Sequence, residues 1–189
     1  LAVLLQFNRF AILTGIASLI IVAVYPFMKR ITWWPQVVLG LAFSWGALMG
    51  FAVTLGRIDL TALALYAGSV LWTIGYDTIY AHQDKEDDLM LGLKSTALKF
   101  GDSTVNWLGA LYGSAVLLWS LAGFLAGAHL VFFTAIALVA LQLSWQIGTL
   151  DTRGPANGLR RFRSNRDVGA AIFLGLIADM ALSSIAGLS

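Results

Sequence analysis

The sequence predicts an all-α bundle of membrane-spanning helices, and three observations predict it. First, 59% of the 189 residues are hydrophobic and 12% are charged, with a mean hydropathy of +0.81. A soluble domain carries about twice that share of charge, so the apolar surplus calls for lipid. Second, a hydrocarbon core about 30 Å thick takes about 20 apolar residues per helix, and runs of that length recur at approximate positions 10–27, 35–55, 60–80, 105–126, 128–150 and 168–188. Third, ten of the twelve basic residues fall in alternate loops, as expected when one side of a bundle stays with the cytoplasm.

Before the first run, Leu1 to Phe7 read as the tail of an apolar helix with nothing charged ahead of it. No signal peptide is expected there. The whole of 1–189 is expected to be one membrane domain whose N-terminal part lies upstream. Glycines inside the runs (Gly109, Gly113, Gly123 and Gly127) are expected to let helices pack closely. Trp33, Trp34 and Tyr80 at run ends suit the headgroup level. The basic loops hold Lys29 and Arg30, then Lys85, Lys94 and Lys99, then Arg153, Arg160, Arg161, Arg163 and Arg166, against Arg9 and Arg57 on the other side. The three basic loops are therefore expected to face the cytoplasm or matrix, with both chain ends opposite.

Composition also excludes some chemistry. Cysteine is absent, which removes disulfides, thiolate catalysis and zinc–sulfur sites. The net charge is +2 and the positive charges fall in loops between apolar runs, so no nucleic-acid partner is expected.

Five of the ten acidic residues lie between Asp77 and Asp88, in YDTIYAHQDKEDD. If the third run continues as one helix, Asp84 and Asp88 fall within about 20° of the direction of Asp77, and the three carboxylates share a face. Asp84 and Asp88 are one turn apart. Clustered carboxylates repel unless a cation relieves them, and magnesium takes one or two carboxylates together with substrate phosphates. A solvated acidic loop has the same composition; the shared face and the acid inside an apolar run favour the metal. In YPFMKR, Tyr25 and Lys29 are four apart, followed by Arg30. Lys29 and Arg30 suit either topology anchors or ligands for diphosphate oxygens. Pro26 makes the helix there irregular.

The run YDTIYAHQDKEDDLMLGLKSTALKFG resembles the second aspartate-rich motif of the UbiA family of intramembrane prenyltransferases, in particular the 4-hydroxybenzoate polyprenyltransferases of ubiquinone biosynthesis. Asp84 and Asp88 match its DxxxD pair and Asp77 the acid upstream. Tyr25 and Lys29 resemble the family's YxxxK element, and PANGLRRFRSNRDVG resembles the last cytoplasmic loop. The resemblance implies a bundle of about nine helices around a central cavity, and transfer of a polyprenyl group from its diphosphate to an aromatic acceptor with Mg2+. By resemblance, Asp77, Asp84 and Asp88 would hold the metal. Lys29, Arg30 and Tyr25, with Lys94 downstream, would contact substrate. The location implied is a bacterial plasma membrane or mitochondrial inner membrane, among lipid. The family's first motif, NDxxDxxxD, is not found in this chain, so these residues alone are expected to have little activity.

Two other classes compete. A nucleotide-alcohol phosphotransferase needs a DGxxAR stretch that the chain lacks. A transporter or non-catalytic bundle with an acidic ion-binding mouth remains the alternative, although its sites usually lie at mid-membrane. Asp179, inside the last run, suits polar glue between helices. His82 is expected to sit at the interface.

Overall fold

The computed structural model describes residues 2–185, and among them all regular structure is helical. Five helical segments are long and apolar enough to cross a membrane: Arg9–Ile31, Pro35–Leu55, Thr96–Leu125, Leu130–Gly148 and Ala156–Ile185.

The chain enters through a single 3-10 turn, Leu4–Gln6, rather than the helix tail expected at residues 2–7. Asn8 then starts α1 (Arg9–Val24). Its side-chain oxygen accepts the Ala11 N–H at 2.9 Å, and its amide donates to the Ala52 carbonyl at 2.8 Å. One residue thus caps α1 and ties it to the end of a neighbouring helix. Pro26 sits in a 3-10 turn, Tyr25–Phe27, leading into the short α2 (Met28–Ile31).

The second apolar run divides into α3 (Pro35–Phe43) and α4 (Trp45–Leu55), with a break at Ser44. At the break the Trp45 indole N–H donates to the Thr14 carbonyl of α1 at 3.0 Å.

The third run forms α5 (Leu60–Ala81), a helix of 22 residues. It packs against α3, α4 and three later helices. Because it meets protein on most sides, it carries Thr73, Tyr76, Asp77 and Thr78 where a lipid-facing helix would carry leucine, and it is the sixth expected span.

After α6 (Lys85–Met90) and α7 (Thr96–Phe100), α8 (Thr104–Leu125) lies along α5. Their approach rests on glycine. A Cβ at Gly75 would run into the Tyr112 ring, and one at Gly68 would lie 2.8 Å from the Trp119 indole. Gly123 faces Phe132 in the same way. The remaining glycines expected at contacts behave differently. Gly127 ends α8 with φ of +71°, and Gly109 and Gly113 border an apolar groove of about 430 Å³ beside Ala140 and Ser144.

The last hairpin pairs α9 (Leu130–Gly148) with α10 (Pro155–Ile185), which begins well before the expected 168 and absorbs the basic stretch into its first turns. The expected residues 186–188 lie outside those described. His129 precedes α9 without capping it by its side chain. The Asp179 carboxylate of α10 does so instead, accepting the N–H groups of His129 at 2.8 Å and Phe132 at 3.1 Å. At the opposite end of α9, Arg161 of α10 donates to the Thr149 hydroxyl at 2.9 Å and carbonyl at 3.2 Å, and lies 4.2 Å over the Trp145 ring. An anion therefore meets the positive end of α9 and a cation its negative end. Asp179 is indeed glue, while Arg161 is buried rather than a surface anchor.

Between these caps runs a polar layer. The Asn165 oxygen accepts the Trp72 indole N–H at 2.7 Å and the Gln146 amide at 3.3 Å; the Gln146 oxygen accepts the Tyr112 hydroxyl at 3.3 Å. Four helices are joined by these direct bonds.

Replacing Asp179 by alanine orphans two N–H groups at the start of α9, and the expected loss is about 2–4 kcal/mol of stability. Asp179→Asn, which keeps an acceptor, is expected to lose less. Thermal unfolding of the detergent-solubilised variants measures both.

Candidate functional site

The acidic and basic motifs meet because two loops are stitched together. Downstream of α6 the chain runs back along α2 and the start of α3. The Lys94 N–H donates to the Lys29 carbonyl at 2.8 Å, the Lys94 ammonium to the Ile31 carbonyl at 3.1 Å, and the Thr96 N–H to the Gln36 side-chain oxygen at 3.1 Å. Thr96 is also 2.6 Å from the Thr78 hydroxyl of α5. Trp34 packs edge-on against Phe100 and Trp107, which stack at 4.7 Å.

This stitching delivers Lys29 to Asp88. The ammonium lies 2.9 Å from Oδ1 and 3.2 Å from Oδ2 of a carboxyl residue that is only 3% exposed. A pair 59 positions apart in sequence is the central contact of the site.

The continuous helix expected through residue 88 does not form. α5 ends at Ala81, and α6 restarts at Lys85 with Asp84 as its N-cap residue. Asp84 and Asp88 remain one turn apart, the Asp88 N–H donating to the Asp84 carbonyl at 2.7 Å. Asp77 belongs to a different helix, so the shared-face geometry is replaced by a fold-back. It still stands within electrostatic range of both Lys29 and Asp84, with the Gln36 side chain beside it, and Tyr25 lies in range of Asp77 and Lys29.

Among the described residues, no three carboxylates or imidazoles converge as a ready metal cage. The donor set still fits a hard divalent cation. Its donors are carboxylate oxygens, the Asp84 carboxylate makes no capping bond, and Asp88 is a buried anion already compensated by a cation, in this case an ammonium.

The other residues singled out fall nearby with different duties. Arg30 is exposed and forms no ion pair among the described residues. Lys94 is spent on pinning the loop, with its ammonium 5.8 Å over the Trp33 ring. Gln36, buried and bonded to the loop, had escaped sequence reasoning; its signal is a lone amide directly after Pro35 in an apolar run. On the far side of α6, away from Asp84 and Asp88, His82, Gln83, Lys85, Asp102 and Arg153 border a separate cavity of about 630 Å³.

The family follows from comparison with known proteins. The model of the UbiA prenyltransferase family matches residues 1–177. The chain belongs to the UbiA prenyltransferase family. Curated relatives called "4-hydroxybenzoate polyprenyltransferase, mitochondrial" include the Bos taurus protein, 47% identical over 94% of this chain and 48% of its own length. The Drosophila melanogaster protein is 46% identical over 97% of this chain and 47% of its own length. The chain thus spans about half the length of the curated relatives it matches. A solved UbiA homolog from Aeropyrum pernix K1, in its apo form, superposes with a TM-score of 0.78 at 26% identity, covering 95% of this chain and 67% of that one. As a UbiA family member with five helices able to cross a bilayer, the protein is an integral membrane protein.

One titration is available outside the spans. His82 follows α5, with its Nε2 3.1 Å from the Thr104 hydroxyl. Burial, and then Lys85, push its pKa down to about 4. Its folded value lies below the unfolded one, so the unfolded chain binds the extra proton more readily. This group's contribution to stability should rise with pH between about 4 and 6.5 and level off above. An NMR titration of the imidazole is expected to place its charging near 4; charging near 6.5 contradicts the burial.

Proposed function

We propose that the protein carrying these residues transfers a polyprenyl group from its diphosphate to a ring carbon of 4-hydroxybenzoate, a step of ubiquinone biosynthesis, with magnesium as cofactor. The observation that carries this reading is the meeting of Lys29 with Asp88, which brings the YxxxK and DxxxD elements into one site.

Asp84 and Asp88, with Asp77 at their side, are the residues that would hold magnesium, which when bound would neutralise charge on the departing diphosphate. Lys29 donates to diphosphate oxygens, and Arg30, at the exposed end of α2, meets the diphosphate or the benzoate carboxylate. Tyr25 borders the same space. The carbon–oxygen bond of the donor breaks with its electron pair leaving on the diphosphate. The ring carbon ortho to the phenol oxygen bonds to the allylic carbon, and the ring then loses the proton from that carbon. Tyr76, next to Asp77, packs 5.1 Å from Trp72 and 5.7 Å from Phe162; such aromatic faces keep water from an allylic cation and stabilise it.

A long prenyl chain stays in lipid throughout, which suits an enzyme embedded in a mitochondrial inner membrane or a bacterial plasma membrane. The motif loops would face the matrix or cytoplasm, where the soluble acceptor is.

The test is a magnesium-dependent transfer assay on the full-length membrane protein, with labelled polyprenyl diphosphate and 4-hydroxybenzoate. Asp84→Asn and Asp88→Asn are each expected to reduce turnover by about a hundredfold or more. Full turnover in both variants refutes the assignment. Transport of an ion by vesicles lacking any prenyl donor would point to a coupled transporter instead.

A further inference from the structure

We propose that Lys29 is an exchangeable counter-ion: it neutralises Asp88 while the site is empty, and leaves Asp88 for the diphosphate when metal and substrate arrive. The inference rests on the prenyl diphosphate reading above and adds an order to it, in which the site resists free metal until a diphosphate is present.

Asp88 is 3% exposed, and both its oxygens lie near one ammonium, at 2.9 and 3.2 Å. No other basic side chain among the described residues comes within 4.0 Å of it. A buried carboxylate stripped of its partner is strongly disfavoured, so Asp88 needs a cation at all times. The ammonium lies against both oxygens of Asp88, so a metal drawn to that carboxylate competes with it for the same negative charge. Metal binding at Asp88 is therefore opposed while Lys29 stays in place.

Departure is feasible for this lysine. Its side chain is 36% exposed, so it is not locked in place by packing on all sides. The pair also does not hold the loops together. The Lys29 carbonyl takes the Lys94 N–H at 2.8 Å, Ile31 takes the Lys94 ammonium, and the Asp88 carbonyl accepts the Leu93 N–H at 2.8 Å. The backbones stay in register while the ammonium moves. An incoming diphosphate supplies the acceptor that Lys29 needs after release, so the two exchanges favour one another. Free metal lacks that second half, and its binding leaves Lys29 with only the more distant field of Asp77 in exchange for a direct ion pair.

Binding of Mn2+ alone, followed by electron paramagnetic resonance on the detergent-solubilised protein without any diphosphate, tests the exchange. Lys29→Met removes the competitor, and its affinity for Mn2+ is expected to rise about tenfold or more over the unsubstituted protein. Lys29→Arg keeps a cation and is expected to stay weak. Adding Asp88→Asn to Lys29→Met should abolish the gain. Should Lys29→Met not be recovered folded, Lys29→Gln is expected to give the same tightening. Equal or weaker Mn2+ binding by the neutral variants overturns the exchange while leaving the transferase reading intact. Absence of Mn2+ binding in every form, with inorganic pyrophosphate as well as without, overturns both.

Discussion

Lipid offers no hydrogen-bond partner, and that constraint organises the molecule. Polar groups inside the bundle are best answered by another part of the protein, and among the described residues few buried side-chain atoms, Ser44 Oγ, Gln83 Nε2 and Arg161 Nη1, lack a partner. Five of the helices are apolar enough to face hydrocarbon, and polar residues retreat to where helices meet. The Gln146–Asn165 layer answers the Tyr112 hydroxyl and the Trp72 indole in a closed network. The turn at Ser44 sends an indole to an α1 carbonyl. Even the ends of α9 are completed from α10, one by Asp179 and the other by Arg161.

The same constraint builds the candidate site. α5 is the pillar, crowded on most sides and carrying Asp77 and Thr78 toward its end. The chain then breaks, turns through α6 and returns past α2, and each step of the return is fixed by a bond from the loop to α2, α3 or α5. Gln36 is central to this because it accepts from the Thr96 backbone while standing beside Asp77. The functional side chains therefore project from a scaffold that does not depend on their own interactions.

Much of the fold was legible in the residues, because hydrocarbon thickness dictates run length and lipid dictates composition. Five of the six expected spans follow from that alone; the run at 60–80 is a helix of 22 residues but is not among the segments apolar enough to cross. The boundaries that failed are local. A period of 100° per residue carries no information about a helix ending at Ala81, so collinear carboxylates were the natural reading of Asp77, Asp84 and Asp88. Ser44 divides a run that hydropathy sees as continuous. The basic stretch before 168 reads as a loop by charge, yet its apolar face, with Phe162 against Tyr80 at 4.8 Å, makes it helix. Gln36 and Asn165 stayed hidden because a single amide in an apolar run has no spacing partner to betray it.

Three charged side chains are buried among the described residues: Asp88, Arg161 and Asp179. Sequence reasoning treats a charge inside a span as a functional candidate by default, yet their partners divide them. Asp179 is answered by backbone N–H groups at one terminus of α9 and Arg161 by the carbonyl and hydroxyl of Thr149 at the other; partners so fixed to a helix end make their charges structural. Asp88 is answered by the end of a long, partly exposed side chain. A buried charge whose compensation can leave is one that another cation can claim. The mobility of the partner, more than burial itself, separates the carboxylate suited to chemistry from the one suited to holding helices together.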